Sequence, residues 1–200
     1  MFITFDGIDG GGKSTQLARF CQWLGQRGTD VLAVRDPGGT PTGEAIRALL
    51  LDSALTMHRR SEAMLFMAAR CELVQTQIRP ALEAGRMVVS DRFLLANVVY
   101  QSVGGHLAAE ELWRIGDWAN GGLRPDLTLL LDLPAEAALA RLERPADRME
   151  ARGLEYLEAV REAFLTQLPH ASRDTVVIDA GQSPERVHRD ILAAVADWIV

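Results

Sequence analysis

The sequence predicts an α/β fold, a parallel sheet with helices on both of its faces. Two observations lead there: short apolar runs alternate with helix-length segments from end to end, and polar residues follow each run on its C-terminal side. The runs are Phe2–Phe5, Val31–Val34, Met87–Ser90, Leu127–Leu131 and Val176–Ile178, each bounded by Gly, Asp, Pro or Arg. Unbroken apolarity is what a strand covered on both faces requires. Helical patterns fill the intervals at Ser14–Gln26, Gly43–Leu51, Ser61–Ala84, Ala108–Asn120, Ala135–Arg144, Gly153–Leu168 and Pro184–Ile199, and Asp52–Arg60 reads as a connection. Gly28, Gly85 and Gly121-Gly122 suit helix ends, and Pro184 suits a helix start. In sheets built from right-handed crossovers, ligands sit beyond the carboxyl ends of the strands. The sequence places Asp6-Gly7, Arg35-Asp36-Pro37, Asp91-Arg92, Asp132 and Asp179 there. No repeat, low-complexity tract or linker interrupts the pattern, so residues 1–200 are expected to form a single domain.

Composition narrows the function. A chain of 200 residues with 48% hydrophobic and 24% charged residues can bury a sizeable core and is not disordered in character. The formal net charge of −6 argues against binding nucleic acid polymers or anionic membranes. The N-terminus reads as a strand with no basic leader, and no apolar stretch reaches the ~18 residues of a membrane span. Two cysteines, Cys21 and Cys71, fall in helical patterns and are expected to be buried thiols in a reducing compartment. A cytoplasmic protein is the expectation. Lys13 is the only lysine, every other basic side chain being arginine. A position that keeps lysine against such a bias calls for a slender ammonium rather than a planar guanidinium.

Lys13 sits in Gly7-Ile8-Asp9-Gly10-Gly11-Gly12-Lys13-Ser14, which matches G-x-x-x-x-G-K-[ST] between a strand and a helix. Glycines let consecutive N–H groups converge on phosphate oxygens, and the helix start contributes its positive end. With Thr15, residues 7–15 form the expected triphosphate cradle. Lys13 is placed to reach the β- and γ-phosphates and the Ser14 hydroxyl to ligate Mg²⁺. The motif establishes nucleoside triphosphate binding and leaves kinase, GTPase and ATPase open. A guanine-reading N-K-x-D motif is excluded, because it needs a second lysine.

The acceptor side chooses among those classes. Asp91-Arg92 follows the third strand, where an Asp can hold Mg²⁺ through water and an Arg can clamp phosphate oxygens. Phe66 and Arg70 share a helix face at i,i+4, so an aromatic could stack a base while an arginine reads its edge. Spacing alone is better satisfied by a core Phe66 beside Met64 and Met67. Asn97, Tyr100 and Gln101 carry amide and hydroxyl groups but could be ordinary helix-surface residues.

Together these segments resemble the bacterial thymidylate kinase family of P-loop nucleoside monophosphate kinases. The resemblance is carried by Asp6–Thr15 (DGIDGGGKST), Arg35–Thr40 (RDPGGT), Arg47–Asp52 (RALLLD), Glu62–Arg70 with its Phe66, Asp91–Gln101 (DRFLLANVVYQ), Arg124–Leu131 (RPDLTLLL) and Asp147–Glu150 (DRME). It implies a five-stranded sheet in the order 2-3-1-4-5, ATP and Mg²⁺ as cosubstrates, dTMP as the acceptor and a homodimer. It further implies that Phe66 stacks on thymine, Arg70 contacts the base edge, and Asn97 and Gln101 approach the base. Tyr100 falls beside the sugar, Arg47 and Arg92 at the acceptor phosphate, and Asp9 and Asp36 close to sugar and phosphate. The catalytic set so implied is Lys13, Asp9, Asp91, Arg92, Arg144 and Arg148, with Ser14 and Asp91 serving the metal. The chain departs from the family at Asp6 and Asp36, where Glu is usual, at Ala96, where Ser is common, and at Pro145, which is often Gly.

Arg141, Arg144, Arg148 and Arg152 cluster between two helical patterns, in an expected lid at about 141–153. A charge run usually marks a solvated face. Position 10, however, is Gly, so the loop brings no arginine of its own to the transferred group. Family members lacking that arginine resemble those that supply it from the lid, which points to Arg144 and then Arg148. The alternatives are another nucleotide or deoxynucleoside kinase, and a GTPase-like switch or non-catalytic nucleotide-binding module.

Overall fold

The computed structural model describes residues 1–104, 107–141 and 153–199. Five strands, β1 (Phe2–Asp6), β2 (Val31–Arg35), β3 (Met87–Asp91), β4 (Leu127–Asp132) and β5 (Asp174–Asp179), form one parallel sheet in the order β2-β3-β1-β4-β5. Class and order are those expected. Strand β1 is buried at every position because β3 and β4 flank it and helices cover both faces. The edge strands β2 and β5 are only partly covered. Alternate residues feed two cores. Ile3, Phe5 and Val89 pack with Phe20 and Leu24 of α1 (Lys13–Gly25) and Phe164 of α8 (Leu154–Gln167). Phe2 and Val88 face Met67 and Leu73 of α3 (Arg59–Leu73) and Leu112 of α6 (Ala109–Ala119). In the interior, Thr4 Oγ1 and Thr128 Oγ1 lie 2.9 Å apart, so each buried hydroxyl meets the other instead of losing water without replacement.

Several local outcomes differ from the sequence reading, three of them near the site. Helix α2 (Pro41–Leu51) begins two residues earlier than its apolar period suggests. Thr40 caps it, accepting from Gly43 N at 2.9 Å, and Pro41 takes the first turn, where its missing N–H is harmless. The long pattern at 61–84 is helical but not uniform: α3 passes into a π-helical stretch, Val74–Ile78, and then α4 (Arg79–Glu83). Pro80 explains the widening, since its ring would meet the carbonyl four residues back and it has no N–H to give.

The third is α5 (Leu94–Ser102), which the periodicity does not reveal as a helix. Leu94 through Gln101 are all buried, so the helix has no polar face to create a period. It threads between the two cores: Leu94 and Val98 join one, Leu95 and Val99 the other. This placement carries Asn97, Tyr100 and Gln101 into the interior of the site. Helix α7 (Ala135–Ala140) ends before the predicted Arg144, and α9 (Pro184–Ala194) ends short of Ile199. Cys21 and Cys71 are free thiols, each half-buried rather than buried. Among the described residues, no helix is long and apolar enough to cross a membrane.

The α5–α6 contact yields a sign test. A Cβ on Gly116 would stand 2.2 Å from Leu94 Cδ1 and 2.7 Å from Leu94 Cδ2. In a free helix, Gly→Ala stabilises by up to about 1 kcal/mol. Here overpacking of about 1–3 kcal/mol should win. Gly116→Ala is therefore expected to lower the urea midpoint, and to lower it less when measured in a Leu94→Ala background. A stabilised Gly116→Ala would show that the two helices separate easily.

Candidate active site

The phosphate loop joins the end of β1 to α1. Gly7 has φ 134° and Gly10 φ 81°; a Cβ at either would come within 2.5 Å of a backbone oxygen, of Leu131 and Ala138 respectively. Only glycine lets the loop lie this close to β4 and α7. Lys13 folds back over the loop, its Nζ donating to the Ile8 carbonyl at 2.8 Å and standing 3.5 Å from Asp9 Oδ1. Burial, with Arg92 adding a like charge, lowers its pKa to about 8. Ser14, exposed at the start of α1, donates to Asp91 Oδ2 at 2.7 Å, so the first helical turn and the end of β3 meet at one point. Thr15 and Gly12 line the same pocket.

Arg92 follows β3 with φ 68°, a left-handed conformation that costs a bulky residue about 1–3 kcal/mol. Its N–H donates to the Phe5 carbonyl at 2.9 Å, and its own carbonyl accepts from Ser90 Oγ at 2.6 Å. These bonds turn the side chain inward. The guanidinium donates to Asp9 Oδ1 at 2.8 Å and to Tyr100 Oη at 3.4 Å. Burial alone would raise the Asp9 pKa, but Arg92 and then Lys13 outweigh it and hold the carboxylate well below its usual range. Asp6 lies beneath them, fully buried, and burial raises its pKa to about 7 against the pull of Arg92 and Lys13.

A second cavity opens beside the loop, walled by Phe66, Arg70, Phe93, Ala96, Asn97, Tyr100 and Gln101. Arg70 is 1% exposed, with Nε 2.5 Å from Asp36 Oδ2 and Nη1 3.1 Å from Asn97 Oδ1. Asn97 Nδ2 then donates to Gln101 Oε1 at 2.6 Å, and Gln101 Nε2 to Glu62 Oε1 at 3.0 Å. Phe66 is half-buried in the cavity wall and lies outside both cores, whereas Met67 is core and Met64 is 52% exposed. Arg47 donates to the Pro37 carbonyl at 2.9 Å across the cis Asp36–Pro37 turn. Asp9, Asp36, Arg47 and Arg92 border both cavities, so the two are continuous.

The structure thus brings residues 9–15, Asp36, Arg47, Phe66, Arg70, Asp91, Arg92, Asn97, Tyr100 and Gln101 to one edge of the sheet, while Gly7 and Ile8 support the loop from below. Arg144 and Arg148 lie outside the described residues. Sequence reasoning gave no part to Glu62, although it shares a face with Phe66 and Arg70 at i, i+4 and i+8. It also gave no phosphate-side part to Arg35 or Arg141, which line the triphosphate cavity. The sequence set Arg35 at the carboxyl end of β2 and Arg141 among the lid arginines, but nothing local distinguished their roles from those of their neighbours.

The chain is similar to known proteins over nearly its whole length. The sequence profile of the family described as thymidylate kinase matches residues 5–191. A thymidylate kinase of Rhodopirellula baltica is 56% identical over 191 residues, 96% of this chain and 78% of that protein. One from Symbiobacterium thermophilum is 46% identical over 193 residues, 96% of this chain and 90% of the relative. One from Nitrosospira multiformis is 43% identical over 197 residues, 98% and 96% of the respective chains. Extended identity of this kind, on a chain whose triphosphate loop opens into an aromatic and amide-lined cavity, establishes that the protein belongs to the thymidylate kinase family.

Proposed function

We propose that this chain transfers the γ-phosphate of ATP to dTMP, giving dTDP and ADP. The observation that carries the reading is the shared border of the two cavities. Asp9, Asp36, Arg47 and Arg92 stand where the last phosphate of a donor and the phosphate of an acceptor would meet. Phe66 offers a face for thymine, Arg70 and Asn97 its edge, and Tyr100 a wall beside the sugar that disfavours a ribonucleotide.

Catalysis on this reading is positioning and charge stabilisation. A phosphate monoester is largely dianionic at neutral pH, its second pKa being about 6, so the acceptor needs no strong general base. Lys13 withdraws from the Ile8 carbonyl to meet the β- and γ-phosphates. Arg92, oriented by Asp9, and Arg47 hold the acceptor phosphate in line. Among the described residues, no cluster of three or more His, Cys, Asp or Glu would hold a metal unaided. The adjoining oxygens of Ser14 and Asp91 nevertheless fit Mg²⁺, which takes one or two protein oxygens besides phosphates and water. When bound, Mg²⁺ would neutralise charge on the donor phosphates. Residues 141–153 serve as a lid within a single 200-residue domain, with Arg144, then Arg148, reaching the transferred group and water excluded on closure.

The protein acts as a cytoplasmic homodimer. Free thiols at Cys21 and Cys71 suit a reducing compartment. Exposed Leu51 on α2, Met64 on α3 and Trp118 on α6, the last 82% exposed, offer apolar area to a second copy.

An ATP-coupled assay with dTMP, dUMP, dCMP, dGMP, AMP and thymidine tests the acceptor. We expect dTMP to have the highest kcat/KM; a preference for thymidine would replace the monophosphate reading with that of a nucleoside kinase. Because Lys13 titrates near 8 in the free protein, kcat/KM for ATP should fall as pH rises through about 8. The kcat should hold to higher pH, since bound phosphates favour the ammonium. A kcat/KM flat to about pH 10, the ordinary lysine range, would remove Lys13 charge from ATP capture. Arg144→Ala should lower kcat more than it raises KM for dTMP; a change in KM alone would confine Arg144 to binding.

A further inference from the structure

Glu62 stands in the first turn of α3, is 3% exposed and is not among the residues lining the two cavities. Its Oε1 closes a chain in which every bond runs the same way. Arg70 Nη1 donates to Asn97 Oδ1, Asn97 Nδ2 to Gln101 Oε1, and Gln101 Nε2 to Glu62 Oε1. An isolated amide exchanges its oxygen and nitrogen by a half-turn, with little to choose between them. The ends of this chain allow no such choice, because a guanidinium only donates and a carboxylate only accepts. Asn97 and Gln101 are therefore each held with oxygen toward Arg70 and nitrogen toward Glu62.

We propose that Glu62 is a specificity-determining positioning residue: by anchoring the far end of this chain, it holds the Asn97 and Gln101 amides in the orientation that selects a keto pyrimidine over an amino pyrimidine. The inference rests on the acceptor reading above. A keto pyrimidine presents an acceptor, O4, beside a donor, N3–H. Arg70 supplies donors for the first, and the second lone pair of Asn97 Oδ1 accepts from the other. Cytosine presents the reverse, an amino donor beside the N3 acceptor. It would set donor against donor at Arg70 and acceptor against acceptor at Asn97. A half-turn of Asn97 would relieve the second conflict. That turn is opposed at one end by Arg70 and at the other by Gln101, which keeps its oxygen toward Asn97 only while its nitrogen has Glu62 to donate to. Without Glu62, Gln101 is free to rotate and the turn becomes easier.

The test is steady-state kinetics of the full chain with dTMP and dCMP, for the wild type, Glu62→Met and Glu62→Gln. Methionine keeps the volume and removes the acceptor; glutamine keeps an acceptor oxygen for Gln101. Loss of one hydrogen bond to a charged group corresponds to about tenfold. Glu62→Met should raise KM for dTMP by about that factor, with kcat and KM for ATP within about twofold of wild type. Its dTMP-over-dCMP ratio of kcat/KM should drop several-fold, and Glu62→Gln, which can accept from Gln101 but can also turn and donate, should restore only part of it. An unchanged ratio in Glu62→Met, or equal losses toward ATP and dTMP, overturns the inference. So does a Glu62→Gln as selective as the wild type, because an end group that only accepts would then not be what fixes the chain. If Glu62→Met does not fold, Gln101→Met cuts the same link from the amide side, and an unchanged ratio there is equally fatal. A wild type that does not phosphorylate dTMP overturns the acceptor reading and this inference with it, whereas an active wild type with an indifferent Glu62→Met overturns this inference alone.

Discussion

Arg92 is held in a left-handed backbone conformation at the carboxyl edge of the sheet, with its guanidinium turned inward between Asp9 and Tyr100. Much else depends on that placement. The Phe5 carbonyl and Ser90 hydroxyl that impose it come from adjacent parallel strands, so the side chain points inward only if β1 and β3 are in register. A buried cation then requires carboxylates, and Asp9 supplies one while also steadying Lys13. The same arginine therefore ties the triphosphate loop to the acceptor cavity. Losing either member of such a pair leaves a buried charge uncompensated, which typically costs about 3–5 kcal/mol.

The site concentrates groups that the fold would be more stable without. Lys13 and Asp6 are buried with pKa values displaced toward neutrality, each by burial first. For Asp6 the raised value means that stability is fully present below the ordinary carboxylate range and is lost as pH rises toward about 7. For Lys13 the lowered value means that charging the ammonium weighs against folding below about 8. Arriving phosphates reverse the second effect by offering the ammonium a partner. Ligand binding and local stability are thus coupled at the loop.

On the acceptor side, order comes from hydrogen bonds instead of packing alone. Arg70 is among the largest fully buried side chains, and its partners Asp36 and Asn97 come from different parts of the chain. Such networks contribute less to net stability than to uniqueness of arrangement, because a partly satisfied one is worse than an apolar core. The π-helical stretch that follows α3 absorbs the effect of Pro80, seven residues beyond the end of Arg70's helix, and leaves the Phe66–Arg70 face regular.

The division between what was legible and what was not follows from range. Strand apolarity, the G-x-x-x-x-G-K-S loop and the polar residues after each strand are local signals, and they located the sheet, the triphosphate cradle and Asp91-Arg92. The long 61–84 pattern showed a helix, but not that Pro80 would widen it into a π-helical stretch. The periodicity did not reveal α5 because Leu94 through Gln101 are all buried, so the residue pattern alone left Asn97 and Gln101 as helix-surface candidates and only the family resemblance brought them to the base. Phe66 could not be told from core by spacing, since a half-buried wall and a buried face share the same i,i+4 pattern. By itself, then, the sequence determined the fold class and the donor chemistry, because those depend on neighbours in the chain. Only the tertiary structure decided which amide faces which charge, because the order Arg70, Asn97, Gln101, Glu62 joins residues up to 39 apart and exists only once α3 and α5 lie side by side.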